Sequence, residues 1–276
     1  DYLIHRYKKP IVSWGNGIIM GGGLGLHVGA SHRVVTETAR IAMPEISIGL
    51  FPDVGATWFL NRMPEGCGLF LGLTGASVNA ADAKFIGIAD SFVRHEYKSI
   101  FFEQLKTISW GDTVSLNREK LNGVLRELEL KSGALPSGQV KPNHELIKNL
   151  TAADNLLEIV NNICDYQTED KWLSRAQNTL RHGSPLSAQL VYRQLNAGHS
   201  LDLAQCFAIE LTMAVKSGQF GEFAEGVRAL LIDKDNQPQW RFSSVDQVPM
   251  ETVNWFFTPL WLDESHPLKN LHNLGA

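Results

Sequence analysis

Strand signals in this chain stop early. Glycine-rich and β-branched runs crowd residues 10–95, and after about residue 98 amphipathic helical spacing takes over almost completely. That asymmetry limits the fold to an α/β layer built first, followed by a mainly helical region. We therefore expect two parts, residues 1–97 and 98–276. In the first, Ile11–Trp14, Arg33–Thr36 and Arg40–Met43 read as strands, and Gly15-Asn16-Gly17 reads as a turn. Ile18-Ile19-Met20 runs into Gly21-Gly22-Gly23 and on into Leu24–Ala30, the pattern of a tight turn entering a closely packed helix. Val54–Met63 is apolar at helical spacing, with Asp53 at the N-cap position. In the second part, Leu121, Leu125, Leu128 and Leu130 lie among charges, as do Ile147, Leu150, Leu156 and Val160. Ser132–Gly138 reads as a loop. Leu186–Leu195 and Leu201–Val215 read as helices, and Ser184-Pro185 supplies a cap followed by proline at the first helical position.

A chain of 276 residues that is 44% hydrophobic and 20% charged has ample material for a core, which excludes disorder. A net charge of −4 lacks the basic footprint of a nucleic-acid binder. No apolar run approaches the roughly 20 residues of a membrane span. Cys67, Cys164 and Cys206 are odd in number and contain no CxxC, which argues against a disulfide framework and a zinc site. A reducing compartment fits: the cytosol, or the mitochondrial matrix in a eukaryote. No secretory signal is visible at Asp1–Pro10, where a helix tail runs into a strand as if the chain began inside a domain.

Three features within about 35 residues carry chemistry. Glycines at a strand-to-helix junction let a ligand approach the backbone closely, and the first N–H groups of a helix are unpaired donors that can stabilise an oxyanion. Gly21–Gly23 can equally serve close helix–strand packing. No Gly-Lys-Ser/Thr follows, so the triplet is not a phosphate loop. Glu45 ends an apolar strand directly after Pro44, where a buried carboxylate would have a raised pKa and act as base or nucleophile, and where a surface Glu would do nothing. Asp53 is a candidate third member, or only a helix cap. Glu45 and Asp53 converge only if residues 46–52 fold back. His27 sits among small apolar neighbours and reads as a hydrogen-bonded packing histidine. Ser13, Ser31 and Ser47 lack a G-x-S-x-G elbow, so a serine hydrolase is not supported.

Taken in order, Gly17–Gly23, Ala42-Met43-Pro44-Glu45, Ile48–Gly55 and Leu73-Thr74-Gly75 resemble the crotonase (enoyl-CoA hydratase/isomerase) superfamily. Phe51-Pro52-Asp53-Val54-Gly55 and the later Glu225–Asp235, with Pro238 and Trp240, are similar to its 3-hydroxyisobutyryl-CoA hydrolase branch. The resemblance covers about residues 1–245. It implies a partial ββα-spiral core with a helical C-terminal region that completes and covers an acyl-CoA site. It also implies an oxyanion-hole N–H from Gly22, flanked by Gly21 and Gly23, a catalytic carboxylate at Glu45, and Asp53 assisting or reading a 3-hydroxyl. The family's second oxyanion donor comes from a Gly-rich segment 45–50 residues further upstream, so the resemblance implies that the first third of the family domain is missing here. Hydratases of the superfamily carry a second glutamate where this chain has Gly25.

The implied reaction is hydrolysis of 3-hydroxyisobutyryl-CoA, a step of valine catabolism. Hydration or isomerisation of an enoyl-CoA by Glu45 alone, or acyl-CoA binding without catalysis, are the alternatives. No metal or redox cofactor is implied, because CoA arrives with the substrate. The implied partner is the acyl-CoA, with no nucleic acid and no membrane, and with room for a homo-oligomer.

Overall fold

The computed structural model describes residues 1–274. In chain order it contains α1 (Tyr2–Arg6), β1 (Val12–Gly15), β2 (Ile18–Met20), α2 (Gly22–Gly29), β3 (His32–Val35), β4 (Arg40–Ala42), α3 (Ala56–Leu60), α4 (Cys67–Thr74), α5 (Ala80–Phe85) and β5 (Ser91–Phe92). From there the α-helices are α6 (Lys98–Thr107), α7 (Val114–Ser132), α8 (His144–Leu150), α9 (Leu156–Asp165), α10 (Lys171–His182), α11 (Pro185–Gly198), α12 (Leu203–Phe220), α13 (Glu222–Val227) and α14 (Met250–Phe257). No strand follows β5 among the described residues, as the leucine spacing requires.

The change of texture near residue 98 is not the division between compact units. One unit gathers Asp1–Ile41 and Ser77–Pro142, and the other Ala42–Ala76 and Asn143–His272. In the first, β1, β3 and β5 form a parallel sheet in the order β1-β3-β5, with Val12 opposite His32 and Val34 opposite Ser91. β2 and β4 make a separate two-stranded sheet. Parallel strands need a crossover, and α2 supplies it between β1 and β3. Val34 and Val93 pack with Phe101 of α6 and with Leu121, Leu125 and Leu128 of α7. Those leucines fall at i, i+4 and i+7, one face of a helix. Leu130 lies off that stripe and is 79% exposed, so it is not part of the core.

The second unit is helical. Phe51 is fully buried against Leu186 and Leu190 of α11, Met213 of α12 and Val253 and Phe256 of α14. The Ser184 hydroxyl accepts from the Ser187 N–H, capping α11 with Pro185 at its start. The helix expected over Val54–Met63 is shorter, Ala56–Leu60. Val54 and Gly55 both have left-handed backbones (φ +56° and +90°), which helical geometry cannot include.

Candidate active site

Pro44 ends β4 and opens a 3-10 turn over Glu45–Ile48, with the Ser47 N–H donating to the Pro44 carbonyl. Gly49 then reverses the chain at φ +67°, and the Leu50 N–H closes back on the Glu45 carbonyl. Residues 46–52 therefore do fold back. The charge of Asp53 reaches Glu45 and helps to keep it protonated.

Glu45 is 5% exposed, and its Oε2 is buried with no hydrogen-bond partner. Burial, and secondarily the Asp53 charge, pushes its pKa up to about 8. Stripping a carboxylate of water without a compensating cation favours the neutral acid, and only a group held rigidly stays in such a place.

Three glycines do the holding, each where a side chain would strike backbone. A Cβ on Gly49 would lie 2.5 Å from the Glu222 carbonyl oxygen, and one on Gly226 would lie 2.3 Å from the Ile48 carbonyl. One on Gly75 would stand 3.0 Å from the Pro44 Cα. The motif glycines of Ile48–Gly55, Leu73–Gly75 and Glu225–Asp235 thus press other backbone segments against the turn that carries Glu45. Side chains complete the seat. The Ser184 N–H donates to the Ile46 carbonyl at 3.0 Å. The Glu222 carboxylate accepts from the Ser184 hydroxyl at 2.5 Å and from the Arg241 N–H at 3.0 Å. Arg228 forks onto Glu225 and also binds Asp233 and Asp235, tying the following loop to α13.

Asp53 is not a helix cap. α3 begins at Ala56 with Gly55 as its N-cap residue, and no cap side chain bonds its first turn. That position is taken by Glu210, 155 residues away on α12, whose carboxylate accepts from the Gly55 N–H at 2.7 Å and the Thr57 N–H at 2.9 Å. The Asp53 carboxyl, half-buried, is pushed above the usual carboxylate range by desolvation. Beside it, Val54 holds a left-handed backbone that costs a β-branched residue about 1–3 kcal/mol and persists only where its surroundings enforce it.

Sequence reasoning missed Glu210, Glu222 and Gln194. For Glu210 a signal existed: Cys206, Glu210, Met213 and Ser217 form one buried stripe of α12, so a carboxylate sits on its core face.

Gly21–Gly23 belong to the other compact unit. Gly21 (φ +49°, ψ −128°) is the N-cap of α2, a conformation open to glycine alone. The ladder of α2 starts with the Leu24 and Gly25 N–H groups donating to the Gly21 carbonyl. The N–H groups of Gly22 and Gly23 precede it at the positive end of the helix and have no intrahelical acceptor. A Cβ on Gly22 or Gly23 would meet nothing within 4 Å, so packing does not explain these two glycines. His27 is buried, shares a 2.8 Å hydrogen bond with Ser13 and is lowered to about pKa 4 by desolvation, the packing role expected. Cys67 and Cys206 are buried thiols pushed up to about 11 and 12, which leaves no thiolate to act as a nucleophile.

The sequence matches the enoyl-CoA hydratase/isomerase family over residues 1–257. It is 33% identical over 265 residues to the mitochondrial 3-hydroxyisobutyryl-CoA hydrolase of Dictyostelium discoideum, covering 94% of this chain and 68% of the relative. It is 36% identical over 269 residues to the mitochondrial enzyme of the same name from Danio rerio, with the same coverage. Among solved structures, an enoyl-CoA hydratase from Rhodobacter sphaeroides superposes with a TM-score of 0.78 at 34% identity, covering 93% of this chain and 70% of that one. A carnitinyl-CoA dehydratase from Mycobacterium thermoresistibile gives 0.80 at 28% identity, over 94% of this chain and 72% of its own. The chain belongs to the enoyl-CoA hydratase/isomerase (crotonase) family.

Proposed function

We propose that this chain hydrolyses an acyl-CoA thioester, 3-hydroxyisobutyryl-CoA or a close β-hydroxyacyl-CoA, to the free acid and CoA. The observation that carries the reading is the buried carboxylate of Glu45, whose Oε2 has no hydrogen-bond partner and which the charge of Asp53 reaches, in a chain with Gly25 where the family's hydratases carry a second glutamate. Adding water across a double bond uses two carboxylates. A thioester needs only one, to attack its carbonyl or to deprotonate the attacking water. Once ionised, Glu45 is poorly solvated and so a strong base and nucleophile. Asp53 reads the 3-hydroxyl or relays a proton, a task for which its freedom from capping leaves it available. The Gly22 N–H, flanked by Gly21 and Gly23, is the oxyanion donor that the family resemblance assigns, and an unpaired helix-terminal N–H suits that role. CoA enters as part of the substrate, and the reaction requires no metal or redox cofactor. A reducing compartment, cytosol or mitochondrial matrix, suits the three free thiols, and no helix among the described residues is long and apolar enough to cross a membrane.

The test compares thiol release from 3-hydroxyisobutyryl-CoA with hydration of crotonyl-CoA by one preparation. We expect kcat/KM to favour hydrolysis by about 10²-fold or more. Faster hydration or a double-bond shift would assign a hydratase or isomerase instead. CoA-ester binding without turnover, indifferent to Glu45→Gln, would mark a binding subunit.

A further inference from the structure

We propose that Glu210 is a positioning residue of this site: its carboxylate clamps the Asp53–Val54–Gly55 turn and so fixes where the Asp53 carboxylate stands. The inference rests on the hydrolase reading for its consequence, and on geometry alone for the clamp.

Glu210 is 3% exposed on α12, and both of its oxygens are committed to the start of α3. Oε2 takes the Gly55 N–H at 2.7 Å and Oε1 the Thr57 N–H at 2.9 Å, while the Thr57 hydroxyl bonds the same carboxylate. Gln194, 1% exposed on α11, grips the opposite flank. Its Nε2 donates to the Pro52 carbonyl at 2.7 Å and to the Thr57 hydroxyl at 2.6 Å. Two buried side chains from two helices therefore hold the backbone on either side of Asp53 and Val54.

The arrangement is more than helix capping requires. A cap is ordinarily supplied by the residue just before the helix, and Asp53 has the right side chain almost in the right place. Importing the acceptor from α12 instead does two things. It leaves the Asp53 carboxylate uncommitted to α3, and it anchors the N–H that directly follows the left-handed Val54. A backbone conformation that valine disfavours is thereby kept in one place, and Asp53, its neighbour, moves with it. Glu210 touches no reacting atom in this scheme and acts only through the turn.

Glu210→Gln tests this above about pH 8, where the Glu210 carboxyl is ionised, because an amide offers one acceptor where the carboxylate offers two and sets an N–H against an N–H. Hydrogen exchange at the Gly55 and Thr57 amides should accelerate by about 10-fold or more, while core amides of α11 and α14 are unchanged. Thiol release should fall by about 10-fold in kcat with little change in KM. In an Asp53→Asn background the Glu210→Gln change should cause no further loss, because the two act as one unit. Glu210→Asp keeps the charge on a shorter arm and should restore part of both the protection and the rate; it also serves if Glu210→Gln does not fold. Unchanged exchange at Gly55 and Thr57 would overturn the clamp. Losses that add fully with Asp53→Asn would overturn the link to Asp53. A wild-type chain that releases no thiol would sink the hydrolase reading instead, and the exchange arm would still decide the clamp.

Discussion

Burying a carboxylate raises the pH at which it ionises, and for Glu45, whose one backbone hydrogen bond only partly offsets the lost water, that pH is about 8. Attack on a carbonyl and proton abstraction from water both need the ionised form. Thiol release should therefore climb with pH, about tenfold per unit on the acid side, and level off above about 8. An acid limb near the ordinary glutamate value would show that Glu45 is not the reacting group. Glu45→Gln should lower kcat by at least ~10²-fold with CoA-ester affinity held within a few-fold, and a variant keeping a third of wild-type turnover would refute its role. Asp53→Asn makes a separate demand. Since Asp53 gives α3 only its backbone carbonyl, which accepts from the Ala56 N–H, while the Glu210 carboxylate takes the Gly55 and Thr57 N–H groups, the change should leave the melting temperature in place and still cost ~10-fold in turnover. A lowered melting temperature with normal turnover would return Asp53 to a purely structural role. The two carboxylates of the proposed site, Glu45 and Asp53, could be singled out in the sequence, because each stands beside a proline that announces a turn. For Glu210 the stripe of α12 tells of burial but not of the partner, because nothing local records that a helical residue closes on N–H groups 153 and 155 positions earlier.

The same substitution should have opposite consequences in different elements. Gly22 starts α2 with open space where a Cβ would stand, and its φ is not positive. Gly22→Ala should therefore keep or slightly raise stability, since alanine loses less backbone entropy on folding by roughly 0.5–1 kcal/mol. If its N–H is the oxyanion donor, kcat should still fall by ~10²–10³ as the methyl group displaces the thioester oxygen. Gly226→Ala places a Cβ 2.3 Å from the Ile48 carbonyl, so the turn bearing Glu45 must shift, and stability and turnover should fall together. Calorimetry on both variants beside their kcat values separates the cases. A destabilised Gly22→Ala with normal kcat on its folded fraction would assign that glycine to packing. At this scale the sequence was read well where local chemistry decides: β1, β3 and β4 fall within one residue of their expected bounds, and Ser184-Pro185 opens α11 as expected. It was read badly at α3, where two left-handed residues replace the first turn of the expected helix and apolar spacing gives no warning of them.

Across the whole molecule, buried ionisable groups divide into two sets whose opposing effects should shape stability against pH. Desolvation lowers His5 and His27 to about 4, and His32 in the same direction, from an ordinary value of 6.5. Between those values the unfolded chain binds protons that the folded chain refuses, so stability should rise with pH from about 4 to about 6.5. Desolvation raises Glu210 to about 7 and Glu45 to about 8, from an ordinary 4.5. There the folded chain keeps protons that the unfolded chain has released, so stability should fall as pH rises, until each group's folded value is passed. Up to about 6.5 the two sets oppose each other. Above 6.5 the histidines have ceased to act, and above about 7 Glu210 has too. From about 7 to 8 Glu45 alone remains in these sets, with a slope of up to about 1.4 kcal/mol per unit. Stability measured by denaturant unfolding should thus decline from about pH 6.5 to about pH 8, while thiol release is still rising. Glu45→Gln should flatten the decline between pH 7 and 8 and lift the alkaline plateau above wild type, with the gain shrinking toward pH 4.5. A variant whose profile runs parallel to wild type through that interval would show that Glu45 ionises with an ordinary pKa in the folded chain, and the desolvated carboxylate at the centre of the proposed chemistry would have to be abandoned.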